Sequence, residues 1–196
     1  VSSVLAIDTA SRTAAWVLRC DATGTVSAER EIPGGALDMR LAAVLAELLG
    51  DDLAAVVVLT GPGSYSGVRA GMAAALGLVS ARGLPLHGAG NLTAIAAAAP
   101  GVGGDGFCAA ADAGRGGVYL AEFRRRGSAV EQLSATRRVD AAAAATAGPV
   151  FATTQIPGLS VSRVSPGTAL AAAVPLALTL PPLDAPGLAA IHAVPG

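Results

Sequence analysis

Val56-Val57-Val58-Leu59-Thr60-Gly61-Pro62-Gly63-Ser64-Tyr65-Ser66-Gly67-Val68-Arg69-Ala70-Gly71 decides how the rest of the chain is read. Its opening is a β-branched run without polar alternation, the pattern of a strand covered on both faces, parallel and central in its sheet. The glycine-rich stretch Gly61–Ser66 is a loop, and an apolar segment from Gly67 to about Arg82 reads as a helix. Strand, loop and helix in that order make an α/β unit. Free backbone N–H groups at the helix start, with Ser64 and Ser66 beside them, could bind an anion. The loop is not a Walker A sequence, which needs a lysine, and its glycine spacing is not that of a dinucleotide-binding turn. The plainer alternative is a sharp turn with Ser66 as the helix cap.

The helix after the loop is apolar on two sides. Val68, Met72, Ala75, Leu76 and Val79 form one face; Gly67, Gly71, Ala74, Leu78 and Ala81 form a second, made mostly of small residues. A helix apolar all round is covered on both sides, and small residues at steps of four and three let another helix come close. The helix before it, following Pro33-Gly34-Gly35 and running to about Leu49, places Leu37, Leu41, Val44, Leu45 and Leu48 on one face. Gly67, Val68, Gly71, Ala74, Ala75 and Leu78, with Leu41 and Leu45 beside them, are therefore the expected subunit interface.

Working outward, Val4 to Ile7, Ala14 to Arg19 and Val26 to Ile32 read as strands, and so do Pro85 to Gly88, Gly106 to Ala111, Gly117 to Arg124 and Val130 to Leu133. Asn91 to Ala99 and Asp140 to Ala147 read as helices, the latter capped by Asp140. Thr168 to Leu178 reads as a helix interrupted by Pro175, and Pro181 to Gly196 has no clear pattern. Two stretches match in plan: Leu5-Ala6-Ile7-Asp8-Thr9 and Ala109-Ala110-Ala111-Asp112-Ala113 are each a small apolar strand ending in Asp, then a turn and a second strand. The expected division is 1–103 and 104–196, with the glycine-rich Pro100 to Gly106 as the seam. Two such halves resemble actin, hexokinase and their relatives, where paired Asp hairpins hold metal-bound phosphates across a cleft. That resemblance makes Asp8, Thr9, Gly61, Gly63, Ser64 and Asp112 candidate remnants of a phosphate site. The alternative is that both Asp residues merely form turns at strand ends.

Composition narrows the function. The formal net charge is −1, and all 13 basic residues are arginine. A dedicated nucleic-acid binder carries a basic excess that is missing here, and chemistry that requires lysine is excluded. Arg124-Arg125-Arg126 and Arg137-Arg138 read as solvated turns. The two cysteines, Cys20 and Cys108, have no CxxC spacing and read as buried free thiols; His87 and His192 form no HxxxH pair, so no metal site is expected. No run of apolar residues is long enough to span a membrane, and Val1 to Asp8 lacks the basic start of a signal peptide, so a soluble cytoplasmic chain is expected.

The segment Gly61 to Gly71 resembles the Gly-Pro-Gly-Ser-Phe-Thr-Gly-Leu-Arg-Ile-Gly signature of the TsaB (YeaZ) family. Ala6-Ile7-Asp8-Thr9-Ala10 is similar to that family's opening Ile-Asp-Thr-Ser, and Asp112-Ala113-Gly114-Arg115-Gly116-Gly117-Val118-Tyr119 to its Asp-Ala-Arg-Arg-Gly-Glu-Val-Tyr hairpin. The resemblance covers residues 4 to 124. It implies a duplicated actin-like, ribonuclease H-like α/β fold with mixed sheets flanked by helices. It also implies a non-catalytic partner of TsaD, the subunit that transfers threonylcarbamoyl to the adenosine next to the anticodon of tRNA. The implied assembly is a TsaD heterodimer that recruits the ATPase TsaE, with a homodimer when the chain is alone, tRNA met only through the complex, and ATP used by partner subunits or bound at a subunit junction. No catalytic residue and no resident cofactor are expected. Two departures stand out. Gly34-Gly35-Ala36-Leu37-Asp38 replaces a His-Ser ahead of the first helix, and Gly117 replaces the family's Glu. A small actin-fold ATPase or a glycoprotease-like peptidase is the competing reading, disfavoured by the missing lysine and histidine pair.

Overall fold

The computed structural model describes residues 2–100 and 106–184. The first sheet contains β1 (Ser3–Asp8), β2 (Ala14–Cys20), β3 (Val26–Pro33), β4 (Leu53–Leu59) and β5 (Leu86–Ala89), in the order β3-β2-β1-β4-β5. The first three strands form an antiparallel meander, and β4 and β5 run parallel to β1. Helices α1 (Leu37–Leu48), α2 (Tyr65–Arg82) and α3 (Asn91–Ala98) fill the connections. The second half supplies β6 (Phe107–Gly114), β7 (Gly117–Arg126), β8 (Ala129–Gln132), β9 (Arg137–Asp140), α4 (Ala141–Ala145), β10 (Val150–Ala152), β11 (Ser162–Arg163) and α5 (Pro166–Leu178). Its sheet runs β8-β7-β6-β10-β11, with β9 an additional partner of β7. Strand for strand and direction for direction, this is the order of the first sheet. α4 takes the place of α1 before the fourth strand, and α5 that of α3 after the fifth. The chain has a duplicated actin-like, ribonuclease H-like α/β fold.

Burial explains why β4 lacks polar alternation. Val56 and Val58, with Leu5 and Ile7 of β1, face Leu41, Val44, Leu45 and Leu48 of α1 and Met72, Ala75 and Val79 of α2. Val57 and Leu59, with Val4 and Ala6, face the opposite way, into a core shared with α3, α5 and Phe107, Phe123 and Phe151 of the second sheet. Each aliphatic side chain removed from water on either face contributes about 1.5–3 kcal/mol.

The halves are joined by exchanged helices. α5 follows the second sheet in sequence but lies on β1, β2, β4 and β5, while α3 packs against the second sheet and against α5. Arg125 of β7 secures the exchange: one guanidinium nitrogen donates to the carbonyls of Ala96 (2.9 Å), Ala97 (3.1 Å) and Ala99 (2.8 Å) at the end of α3. This corrects the expectation that Arg124–Arg126 is a solvated turn, because the last carbonyls of a helix lack partners and draw a cation.

Pro175 does not interrupt α5. The carbonyl of Ala171, deprived of its helical donor by the proline, packs against Gly24 of the β2–β3 turn, where a Cβ would stand 2.4 Å from that oxygen. α2 starts at Tyr65, two residues earlier than expected. Strands β9, β10 and β11 had no sequence expectation: each is four residues or fewer. Residues 101–105 of the expected seam, His192 and most of the Pro181–Gly196 tail lie outside the described residues. No described helix is long and apolar enough to cross a membrane.

Candidate functional site

The signature loop is built to receive the turn after β1. Thr9, fully buried, donates from Oγ1 to the Gly67 carbonyl at 2.7 Å, and Ser64 N–H donates to the Ala10 carbonyl at 2.7 Å. The approach is so close that three glycines are required. A Cβ at Gly63 would stand 2.3 Å from the Ala10 oxygen, at Gly67 2.1 Å from the Thr9 oxygen, and at Gly71 2.2 Å from Thr9 Oγ1. Ser64, not Ser66, caps α2: it has extended backbone and its Oγ accepts from Gly67 N–H at 3.3 Å, whereas Ser66 is already helical. The far side of the loop is clamped by Asn91, whose N–H donates to the Gly61 carbonyl (2.7 Å) and whose Nδ2 donates to that of Pro62 (3.0 Å). The amides of Ser64 and Gly67, expected at a phosphate site, are therefore consumed within the chain.

The two Asp hairpins share one local geometry. Asp8 Oδ1 accepts from Ala10 N–H at 2.8 Å, and Asp112 Oδ1 accepts from Gly114 N–H at 2.8 Å. Both are Asx-type turns, as the plainer reading requires. Their surroundings differ. Asp8 is 4% exposed, and burial pushes its carboxyl up to about 6 against the lowering effect of the Ala10 N–H. Asp112 is half-buried and lines a cavity of about 60 Å³ between the halves, together with Arg12, Asn91 and Thr153. Asp8 is not part of that lining, so the cavity does not bring the two carboxylates together. Ligand pockets usually measure roughly 300–1,000 Å³. Cys20 and Cys108 are buried free thiols, both pushed up mainly by burial. The described residues contain no group of three or more side chains of metal-ligating type.

The residues expected at an interface fall into two sets. Gly67, Val68, Gly71 and Ala75 of α2, and Leu41 and Leu45 of α1, are buried by the chain's own atoms. The Gly67–Gly71 stripe accommodates Thr9 rather than a second helix, which corrects its expected role. Ala74 and Leu78 are half-buried and reach the surface. Beside them the outer side of α2 carries half-buried Ala70 and exposed Ala73, Gly77 and Ala81, together with exposed Ser66, Arg69, Ser80 and Arg82, and a Cβ at Gly77 would meet nothing within 4 Å. The outer side of α1 carries Met39, Ala42, Ala43 and Ala46, at steps of three, one and three, with Met39 79% exposed. The two helices touch. Tyr65, 66% exposed, stands at the head of α2 with the Arg69 guanidinium 5.3 Å from its ring centre. Sequence periodicity could not separate inner from outer small residues, because alanine and glycine occur on both sides.

The chain is similar to known proteins. A family profile described as TsaD, tRNA N6-adenosine threonylcarbamoyltransferase, matches residues 39–178. An uncharacterized protein of Mycobacterium tuberculosis (strain H37Rv) is 36% identical over 183 residues, 88% of this chain and 85% of that protein. The tRNA threonylcarbamoyladenosine biosynthesis protein TsaB of Escherichia coli K12 is 35% identical over 129 residues, 62% of this chain and 55% of that one. Among solved structures, YeaZ from Pseudomonas aeruginosa shares the fold with a TM-score of 0.69 at 20% identity, over 91% of this chain and 93% of that chain.

Proposed function

We propose that this chain, which belongs to the TsaB (YeaZ) branch of the TsaD family and thereby to tRNA threonylcarbamoyladenosine biosynthesis, is a non-catalytic cytoplasmic subunit that pairs with TsaD. One observation carries this reading. Two helices of the first half, residues 1–103, turn alanine, glycine and methionine to the outside, bordered by the exposed Asp38, Arg40 and Glu47 of α1 and Arg69, Ser80 and Arg82 of α2. Contiguous apolar surface rimmed by polar groups marks a protein contact, and small residues permit the close helix crossing that TsaD's own related fold could supply. In the absence of TsaD a second copy would use the same face, so homodimer and heterodimer compete. TsaE joins through TsaD, tRNA is met only in the assembled complex, and ATP is consumed by the partners.

The chemistry of the buried residues supports a subunit without turnover of its own. Asp8 is enclosed, Asp112 serves its turn, the chain has no lysine, and among the described residues no histidine is hydrogen-bonded to either carboxylate to complete an acid–base couple. The purified chain should neither hydrolyse ATP nor modify tRNA. Affinity purification from the native cell tests the proposal: TsaD should come down in stoichiometric amount, and a chain recovered without TsaD would contradict it.

A further inference from the structure

Three guanidinium groups gather at the β6–β7 turn. Arg12, from the β1–β2 turn of the other half, lies on Gly114, where a Cβ would stand 2.6 Å from its Nη2. Arg138 of β9 lies on Gly117, the register partner of Gly114, where a Cβ would stand 2.4 Å from its Nη2. Arg115 is the turn's own residue, exposed and held at φ 54°.

A guanidinium offers five N–H donors. Among the described residues Arg12 and Arg115 have no hydrogen-bond or ion-pair partner, and Arg138 has only the Gly114 carbonyl, at 3.1 Å. Of the other arginines of this half, Arg125 is committed to α3, Arg126 to Glu131 and Arg137 to Glu122, while Arg124 on β7 and Arg163 on β11 have no side-chain hydrogen bond or ion pair among the described residues. Carboxylates at this end of the fold balance the formal charge but are occupied or apart. Asp112 accepts from Gly114 N–H, Asp140 accepts from Ala143 N–H, and Asp38, across a groove from Arg12, forms no ion pair with it. The gathering of three such groups over one turn, rather than net charge, distinguishes this rim.

We propose that Arg12, Arg115 and Arg138 hold the phosphodiester backbone of RNA. The inference rests on the reading that the chain works in tRNA modification. The three groups are exposed and set over successive parts of one turn, which suits the spaced phosphates of a strand better than one enclosed ion. The contact is weak for the chain alone and adds to that of the assembled complex.

The test is fluorescence anisotropy of the full chain with an anticodon stem–loop RNA, in salt from about 20 to about 150 mM, where each phosphate contact contributes about 0.7–0.9 to the slope of log affinity against log salt. Arg12→Ala, Arg115→Ala and Arg138→Ala should each lower the slope by about that amount, while Arg163→Ala on exposed β11 leaves it unchanged. Three results overturn the proposal: no binding by the wild-type chain at the lowest salt, an equal loss with Arg163→Ala, or full competition by inorganic phosphate at the same ionic strength, which would make the rim a site for a free anion. Failure to recover TsaD would sink the subunit reading without altering this titration, so the two can fail separately.

Discussion

Replacing Asp8 by Asn should stabilise this protein at neutral pH. The carboxyl is enclosed at the end of β1, and its pKa rises from 3.8 to about 6 because burial penalises the charged form. At about 1.4 kcal/mol per pH unit, holding Asp8 ionised in the fold costs about 3 kcal/mol at pH 7. The folded chain binds this proton more tightly than the unfolded chain does. The favourable contribution is therefore complete below about pH 3.8 and is lost as pH rises through 6. Asn has nearly the same shape, keeps an oxygen to accept from Ala10 N–H, and carries no charge. Urea unfolding of both proteins at pH 7.5 and pH 4.5 provides the measurement, the difference between them cancelling the titration of shared groups. Asp8→Asn should gain about 1–3 kcal/mol at the higher pH and much less at the lower. A variant that is destabilised at pH 7.5, or whose gain is the same at both pH values, would refute the reasoning, since ionised Asp8 would then have a compensating partner.

Further perturbations address the packing that sets the site. Gly71→Ala should lose about 1–3 kcal/mol by driving a methyl into Thr9, and Thr9→Ala in the same chain should recover part of that loss; a double variant no better than the sum of the two singles would show that the clash lies elsewhere. Arg125→Ala should lower stability by about 2 kcal/mol, because the carbonyls at the end of α3 lose a charged donor, and thermal unfolding at fixed pH would detect it.

Much of the fold could be read from the sequence because its signals are local. The run Val56–Leu59 has no polar residue since both of its faces are buried, and Asp8 and Asp112 mark the repeat since each ends its strand by accepting from the N–H two residues on. What could not be read depends on contacts between distant residues. The glycines at 67 and 71 look like a surface for another helix and Gly63 like part of an anion loop, yet they make room for Thr9 and Ala10, more than fifty positions earlier. Arg125 sits in a charge run that resembles a solvated turn, and only the exchange of α3 onto the second sheet gives it carbonyls to bind. Pro175 looks like a break until Gly24 is placed beside the carbonyl it frees. Strands β10 and β11, of three and two residues, are too short for periodicity to register, and β9, Arg137–Asp140, has no apolar run to mark it. Of the residues expected at an interface on α1 and α2, most are buried by the chain itself, because small and apolar residues on every side of both helices hid which of them point outward.

Sedimentation velocity of the chain with TsaD, comparing wild type and Gly77→Trp, tests the central claim most directly. Gly77 is exposed with open space above its Cα, and replacing a helical glycine favours the helix itself, so the variant should fold as the wild type does by thermal unfolding. A bulky ring in a close helix crossing costs about 1–3 kcal/mol, or roughly 5- to 150-fold in affinity. Wild type should form a one-to-one complex with TsaD, and Gly77→Trp should sediment largely apart from it. A normally folded Gly77→Trp chain that binds TsaD with unchanged affinity would contradict the assignment of this face as the subunit contact.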